Sequence, residues 1–113
     1  MYHTCGDVYA LIPQFIENGL DCLQSLQPQA TNMDIKRLKK EFGKHLSFQG
    51  GMDIQQVLPL GTPADVKKMV KYAADNGKAG GGYIFGTSHN IQADTAIENV
   101  AALFEAYHEY GVY

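Results

Sequence analysis

The chain has 113 residues, of which 45% are apolar, enough for one domain of ordinary size with a core and too many for a disordered segment. Twelve acids against nine bases give a net charge of −3, and the bases fall mainly in KRLKK (36–40) and VKKMVK (66–71). Each cluster suits one solvated helix face, so no nucleic-acid partner is expected. The longest apolar runs are too short to cross a bilayer and no charged-then-apolar leader is visible, so the expectation is a cytoplasmic protein with no membrane partner. Two cysteines, Cys5 and Cys22, are too few for a disulfide framework, and a reducing compartment leaves them as thiols.

In chain order, MYHTC (1–5) is a short apolar run that suits a buried strand, and DVYALIPQFIENG (7–19) follows it as a helix. Pro13 can begin the regular part of that helix and Gly19 can cap its end. DCLQSLQ (21–27) is the second strand. MDIKRLKKEFG (33–43) is its helix, with Asp34 as N-cap and Gly43 as the stop. HLSFQG (45–50) is the third strand. TPADVKKMVKYAADNG (62–77) then offers Thr62 as N-cap, Pro63 at the first helical position and Asp65 in the first turn. Its apolar stripe is Val66, Met69, Val70 and Ala73. GGYIFGT (81–87) is the fourth strand. TAIENVAALFEAYHEYG (95–111) closes the series with a capping box in Thr95 and Glu98, a stripe of Ile97, Val100, Ala101 and Phe104, and Gly111 as its end.

Strand and helix alternate four times, which reads as α/β architecture with four βα units and a parallel sheet. Four such units make half of a (β/α)8 TIM barrel, or alternatively a small open sheet. A half-barrel leaves two unpaired edges and an uncovered inner face. Residues 1–113 are therefore expected to be a single partial domain, either a fragment or a protomer. It would complete its barrel by homo-oligomerisation or by association with the missing half.

In βα folds the strand C-termini and the loops after them hold the chemistry. Those segments are HTCGD, QPQATNMD, GGMDIQQ and TSHNIQAD. Ligand-type and polar residues gather there: His3 and Cys5 at the first tip, Gln27 at the second, Asp53 and Gln55 at the third, His89 and Asn90 at the fourth. Residues i and i+2 of a strand point to the same side, so His3 and Cys5 share a direction. A catalytic zinc needs three protein ligands, and His89 is the other strong ligand type on that face. The competing reading of the same spacing is a buried histidine and an inert thiol near a strand end. Cys22 lies near the start of its strand, away from Cys5, and reads as filler rather than a redox partner. His45 precedes its strand and His108 lies in the last helix, so neither belongs to this face. The glycines 80–82 precede their strand, the reverse of a dinucleotide loop, and suit a tight approach to it. Gly50 and Gly51 follow a strand in this reading and could let backbone approach a ligand. Asp53 is a functional carboxylate, a metal partner or a loop-structuring acid. Phe48, Tyr83 and Phe85 read as barrel filling, and Tyr107, Tyr110 and Tyr113 as helix surface and tail.

HTCG (3–6), FQGGMDIQQVLPLGTPADV (48–66) and GGYIFGTSHNIQADTAIENV (81–100) carry a resemblance. Essentially the whole chain looks like the C-terminal half of the uroporphyrinogen decarboxylase superfamily, which includes true decarboxylases and zinc- and corrinoid-linked methyltransferases. The resemblance implies a (β/α)8 barrel whose first half is absent here. From the methyltransferase branch it implies zinc ligands at His3 and Cys5, with a third at His89, where that branch commonly has cysteine. It also implies a corrinoid carried by a partner protein and a small methyl donor or acceptor. From the decarboxylase branch it implies His89 lining a porphyrinogen pocket and cofactor-free loss of carbon dioxide in porphyrin biosynthesis. Asp53 and His89 are then the expected catalytic residues, and Gln27, Gly50, Gly51, Gln55 and Asn90 the expected substrate-binding ones. Methyl transfer ranks first, because the HTC motif has no role in the decarboxylase. The alternatives are uroporphyrinogen decarboxylase and a non-catalytic half-barrel. The isolated fragment is expected to be inactive.

Overall fold

The computed structural model describes residues 1–113. Its elements are β1 (Tyr2–His3), a 3₁₀ turn (Tyr9–Leu11), α1 (Ile12–Glu17), β2 (Cys22–Leu26), α2 (Ile35–Phe42), β3 (Ser47–Met52), α3 (Val57–Leu60), α4 (Pro63–Gly77), β4 (Tyr83–Thr87) and α5 (Ile97–Tyr110). The four strands form one parallel sheet in the order β1-β2-β3-β4. This is the expected run of four βα units, with one short helix, α3, that the sequence reading lacked. No helix is long and apolar enough to cross a membrane.

Local chemistry explains most of the boundaries. Pro13 sits in the first turn of α1. That helix ends in a Schellman motif: Gly19 takes φ +82°, its N–H bonds Ile16 O at 2.9 Å, and the Leu20 N–H bonds Phe15 O at 3.0 Å. The Asp34 carboxylate accepts the Lys36 and Arg37 amides to start α2. Thr62 and Asp65 form the reciprocal capping box that starts α4. Gly80, Gly81 and Gly82 all hold positive φ on the way into β4.

The start of α5 differs from expectation. Ala96 is its N-cap, no side chain caps it, and the proposed Thr95–Glu98 box does not form. Its buried stripe is also rotated. Asn99, Ala102, Leu103 and Ala106 face inward, whereas Ile97 (73% exposed), Ala101 and Phe104 (58%) face out. The small Ala102 and Ala106 join the apolar cluster that Val66 and Val70 of α4 build. Asn99 belongs to that face because its amide donates to the Leu58 and Gly61 carbonyls at 2.9 and 2.8 Å, tying α5 to the end of α3.

Two apolar clusters lie between the sheet and the helices. One centres on Leu23, Leu26, Leu38, Phe48 and Tyr83, the other on Met52, Leu58, Val66, Val70 and Leu103. Phe48 and Tyr83, with the half-buried Phe85, thus pack toward the helices rather than filling a barrel interior. The reason is the two-residue period of the strands, which sends Gln24, Gln49 and Ile84, aligned by register with His3, to the opposite face. That inner face has no covering layer. β1 and β4 are edge strands, and the β4 flank exposes Ile84, Ile91, Phe104 and Tyr107.

Candidate active site

β1 is paired to β2 at Tyr2–Leu23 and His3–Gln24. Two further backbone bonds extend the ladder past it: Thr4 N to Gln24 O at 2.6 Å and Ser25 N to Thr4 O at 3.2 Å. The HTC segment is therefore held in extended geometry, and His3 and Cys5 project to one side as their spacing requires. The Cys5 Sγ lies 3.5 Å from His3 Nε2. The other ring nitrogen, Nδ1, is 3.2 Å from the Gln24 Oε1. Both His3 and Cys5 are exposed on the uncovered inner face.

His89 follows the end of β4 and turns toward the same place, its ring edge-on to His3 with centroids 6.4 Å apart. A cavity of about 460 Å³ lies between them, lined by no apolar side chain. His3, Gln24 and Gln49 of the first three strands line it together with Gly86, Thr87, Ser88, His89 and Asn90 from the end of β4. A larger groove, about 690 Å³, runs over the outside of α3 and α4 past Val57, Leu60, Met69 and Tyr72. It has no histidine or cysteine; the smaller, polar cavity at the strand ends holds the ligand-type side chains and is the candidate site.

The donor set fits zinc in part. With Zn–S about 2.3 Å and Zn–N about 2.0–2.1 Å, a tetrahedral angle places sulfur and nitrogen about 3.6 Å apart. The His3–Cys5 separation matches that. No group of three His, Cys, Asp or Glu side chains is gathered closely enough to hold a metal ion. His89 stands off from the other two, and its side chain is exposed.

The other expected site residues play different parts. Gln27 accepts the Gly6 N–H at 2.7 Å through its side-chain oxygen, so it clamps the HTCG loop and does not line the cavity. Gly50 and Gly51 lie inside β3 rather than after it, at φ +119° and +106°. A Cβ on Gly50 would stand 2.7 Å from Leu26 N, and one on Gly51 would stand 2.6 Å from Tyr83 Oη. Close packing inside the sheet and against Tyr83 favours glycine at both positions. The Tyr83 hydroxyl donates to Gly50 O at 2.8 Å, and burial raises its pKa. Asp53 is buried; its Oδ1 accepts the Gln55 N–H at 2.7 Å, the Gln56 N–H at 3.0 Å and the Gln29 amide. Of the three roles open to it, this geometry matches the loop-structuring acid. The Gln55 side chain is exposed and outside the cavity. Asn90 does line it.

Five cavity residues lie outside the expected site set: Gly86, Thr87 and three with a distinct chemistry. Gln24 and Gln49 occupy matched positions on neighbouring strands, where a barrel interior is ordinarily filled by branched apolar residues. The signal was present in CLQSL and SFQGG, a polar residue at the same register of two apolar runs. Ser88 is the third: its hydroxyl is buried without a partner, while its carbonyl accepts the Ser25 hydroxyl. Cys5 and Cys22 are both free thiols, and burial raises the Cys22 pKa.

The uroporphyrinogen decarboxylase (URO-D) family model matches residues 1–110. The chain belongs to the uroporphyrinogen decarboxylase family. Among its relatives is a protein of Methanosarcina mazei named methylated-thiol–coenzyme M methyltransferase, 26% identical over 104 residues, covering 92% of this chain and 26% of that protein. A uroporphyrinogen decarboxylase of Coxiella burnetii is 27% identical over 105 residues, covering 87% of this chain and 28% of that protein. The chain thus spans about a quarter of the length of these relatives. Four parallel βα units are part of the family's eight-unit barrel.

Proposed function

We propose that the chain is the C-terminal part of a zinc-dependent methyltransferase of this family, moving a methyl group between a corrinoid on a partner protein and a small thiol. The observation that carries this reading is the His3–Cys5 pair, with nitrogen and sulfur 3.5 Å apart and His3 lining a polar cavity. His3 Nε2 and Cys5 Sγ would supply two ligands and His89 the third. Zinc bound there would supply Lewis acidity, lowering the pKa of an acceptor thiol so that it reacts as the stronger nucleophile near neutral pH. Gln49, Thr87 and Asn90 provide neutral hydrogen-bonding groups around the reacting position, and they can orient a polar substrate without adding charge. The thiol as substrate rests on the name of the Methanosarcina relative together with a site chemistry that suits it.

The open β4 edge and its exposed Ile84, Phe104 and Tyr107 support association with further βα units, so activity is assigned to the completed barrel. Uroporphyrinogen decarboxylation is the second reading, favoured by the Coxiella relative at a similar level of identity. In that case His89 contacts the porphyrinogen and the HTC motif has no catalytic part.

The test is the metal content of the full-length protein. Stoichiometric zinc, lost on Cys5→Ser and weakened on His89→Ala, is expected, with methyl transfer from methylcobalamin to a thiol lost in parallel. A full-length protein that binds no zinc and releases carbon dioxide from uroporphyrinogen would overturn the methyltransferase reading in favour of the second.

A further inference from the structure

The geometry points to Gln24 as a positioning residue that fixes His3 in its Nδ1–H tautomer and so presents the Nε2 lone pair on the Cys5 side. This rests on the zinc reading above for its purpose, but the hydrogen bond that carries it is independent of any metal. A neutral imidazole holds one N–H and one lone pair, and the partner of one nitrogen decides the role of the other. Gln24 Oε1 can only accept, so at 3.2 Å it takes the proton of Nδ1. Nε2 is then the lone-pair nitrogen, and at 3.5 Å it receives the Cys5 S–H. The same lone pair and the deprotonated sulfur are what a soft cation would bind.

The backbone makes this arrangement more than a chance contact of two surface side chains. His3 and Gln24 are register partners in adjacent parallel strands, so their side chains leave the sheet on the same face and side by side. The Thr4–Gln24 and Ser25–Thr4 backbone bonds flank the pair and prevent β1 from sliding past β2. A one-residue slip would turn His3 toward the helices and bring Tyr2 and Thr4 to the inner face. An apolar side chain at position 24 would leave Nδ1 without this acceptor. The ring could then take either tautomer or turn about its Cα–Cβ bond, and the lone pair would face Cys5 only part of the time. Partners of this kind behind a metal-binding histidine typically change affinity by roughly 10- to 100-fold when removed.

The experiment uses the full-length protein with Gln24→Leu, Gln24→Glu and the wild type, and reads two quantities. The His3 tautomer is read in the metal-free proteins by long-range proton–nitrogen NMR correlation. Zinc affinity is read by competition with a chromogenic chelator. The wild type should show the Nδ1–H form, Gln24→Leu should lose that preference and bind zinc roughly 10- to 100-fold more weakly, and Gln24→Glu, which keeps an acceptor, should restore both. Should Gln24→Leu fail to fold, the wild-type tautomer and the behaviour of Gln24→Glu still decide the matter. A wild-type His3 protonated on Nε2, or a folded Gln24→Leu protein with unchanged tautomer and affinity, would overturn the proposal. If the wild type binds no zinc but shows the Gln24-dependent tautomer, the positioning role of Gln24 stands and the metal reading fails.

Discussion

Replacing Asp53 separates a structural acid from a chemical one. Its Oδ1 accepts the amides of Gln55 and Gln56 at 2.7 and 3.0 Å and the Gln29 side chain, and its own carbonyl accepts the Leu58 N–H at 3.1 Å. In Asp53→Ala the Gln55, Gln56 and Gln29 donors lose their acceptor at a position that is only 3% exposed, while the Leu58 N–H keeps its own. Losing a side-chain oxygen that caps backbone amides costs about 0.5–2 kcal/mol, and a buried unsatisfied donor adds about 1–3 kcal/mol. The sum for Asp53→Ala is about 1.5–5 kcal/mol. Asp53→Asn keeps an oxygen at the same place and caps nearly as well, so its cost should be about 1 kcal/mol, chiefly the lost charge assistance. Urea denaturation followed by far-ultraviolet circular dichroism gives both values, and steady-state kinetics of the full-length protein gives the activity. The loop-structuring role requires Asp53→Asn to keep kcat/KM within roughly tenfold of wild type, because general acid–base work is worth about 10²–10⁴-fold. If Asp53→Asn lost activity by two orders of magnitude while its unfolding midpoint stayed at the wild-type value, the carboxylate would belong to the chemistry and the structural assignment would fail.

Gly51→Ala should destabilise the chain by about 2–4 kcal/mol, from a strained positive φ at about 1–3 kcal/mol plus loss of the Tyr83 hydrogen bond at about 1 kcal/mol. Thermal denaturation with an unchanged midpoint would contradict the close approach of 2.6 Å to the Tyr83 hydroxyl. Tyr83 also sets an alkaline limit. Burial raises its folded pKa above the ordinary phenol value of about 10, so above that pH the unfolded chain releases a proton that the folded one keeps. Stability is then fully present below pH of about 10 and falls by about 1.4 kcal/mol per pH unit as pH rises beyond it. Tyr83→Phe, less stable at neutral pH, should show a correspondingly shallower alkaline loss, read from urea midpoints beside the phenolate absorbance of the native protein; equal slopes in the two proteins would refute this.

How much of this was legible in the sequence depends on whether a residue's role was local. The caps at Asp34, Thr62 and Gly19 could be read because each acts within one turn of its own helix. The orientation of α5 could not. NVAALFEAY is apolar on more than one face, and the stripe through Ile97 and Phe104 is richer in large side chains than the one that is buried. The buried stripe contains Asn99, which periodicity excludes as polar, yet whose amide finds two carbonyls some forty residues earlier in the chain. The box expected at Thr95 failed for a related reason: its acid, Glu98, lies in the first turn of a helix that Ala96 starts without side-chain help.

The inner face makes the same point for function. Sequence reasoning looks for chemistry in the loops after the strands; the structure brings three of the residues expected there, His3, His89 and Asn90, to one cavity, with Cys5 beside His3. Gln27, Asp53, Gly50 and Gly51, expected there on position, hold the loops and the sheet together. The residues that reasoning passed over, Gln24 and Gln49, sit within strands, where a polar side chain in an apolar run is easily read as the solvated side of the sheet. Only pairing shows that the two glutamines share a register with each other and with His3. A barrel interior built from these positions carries amides where branched apolar residues would give the best packing. Three polar residues at one level of three adjacent strands would lower stability in a closed core unless they served a bound group. That is the physical reason why the proposed function places its substrate against β1, β2 and β3 rather than at the loop carboxylate. Methyl-transfer assays on Gln49→Leu should accordingly show a loss that Asp53→Asn does not.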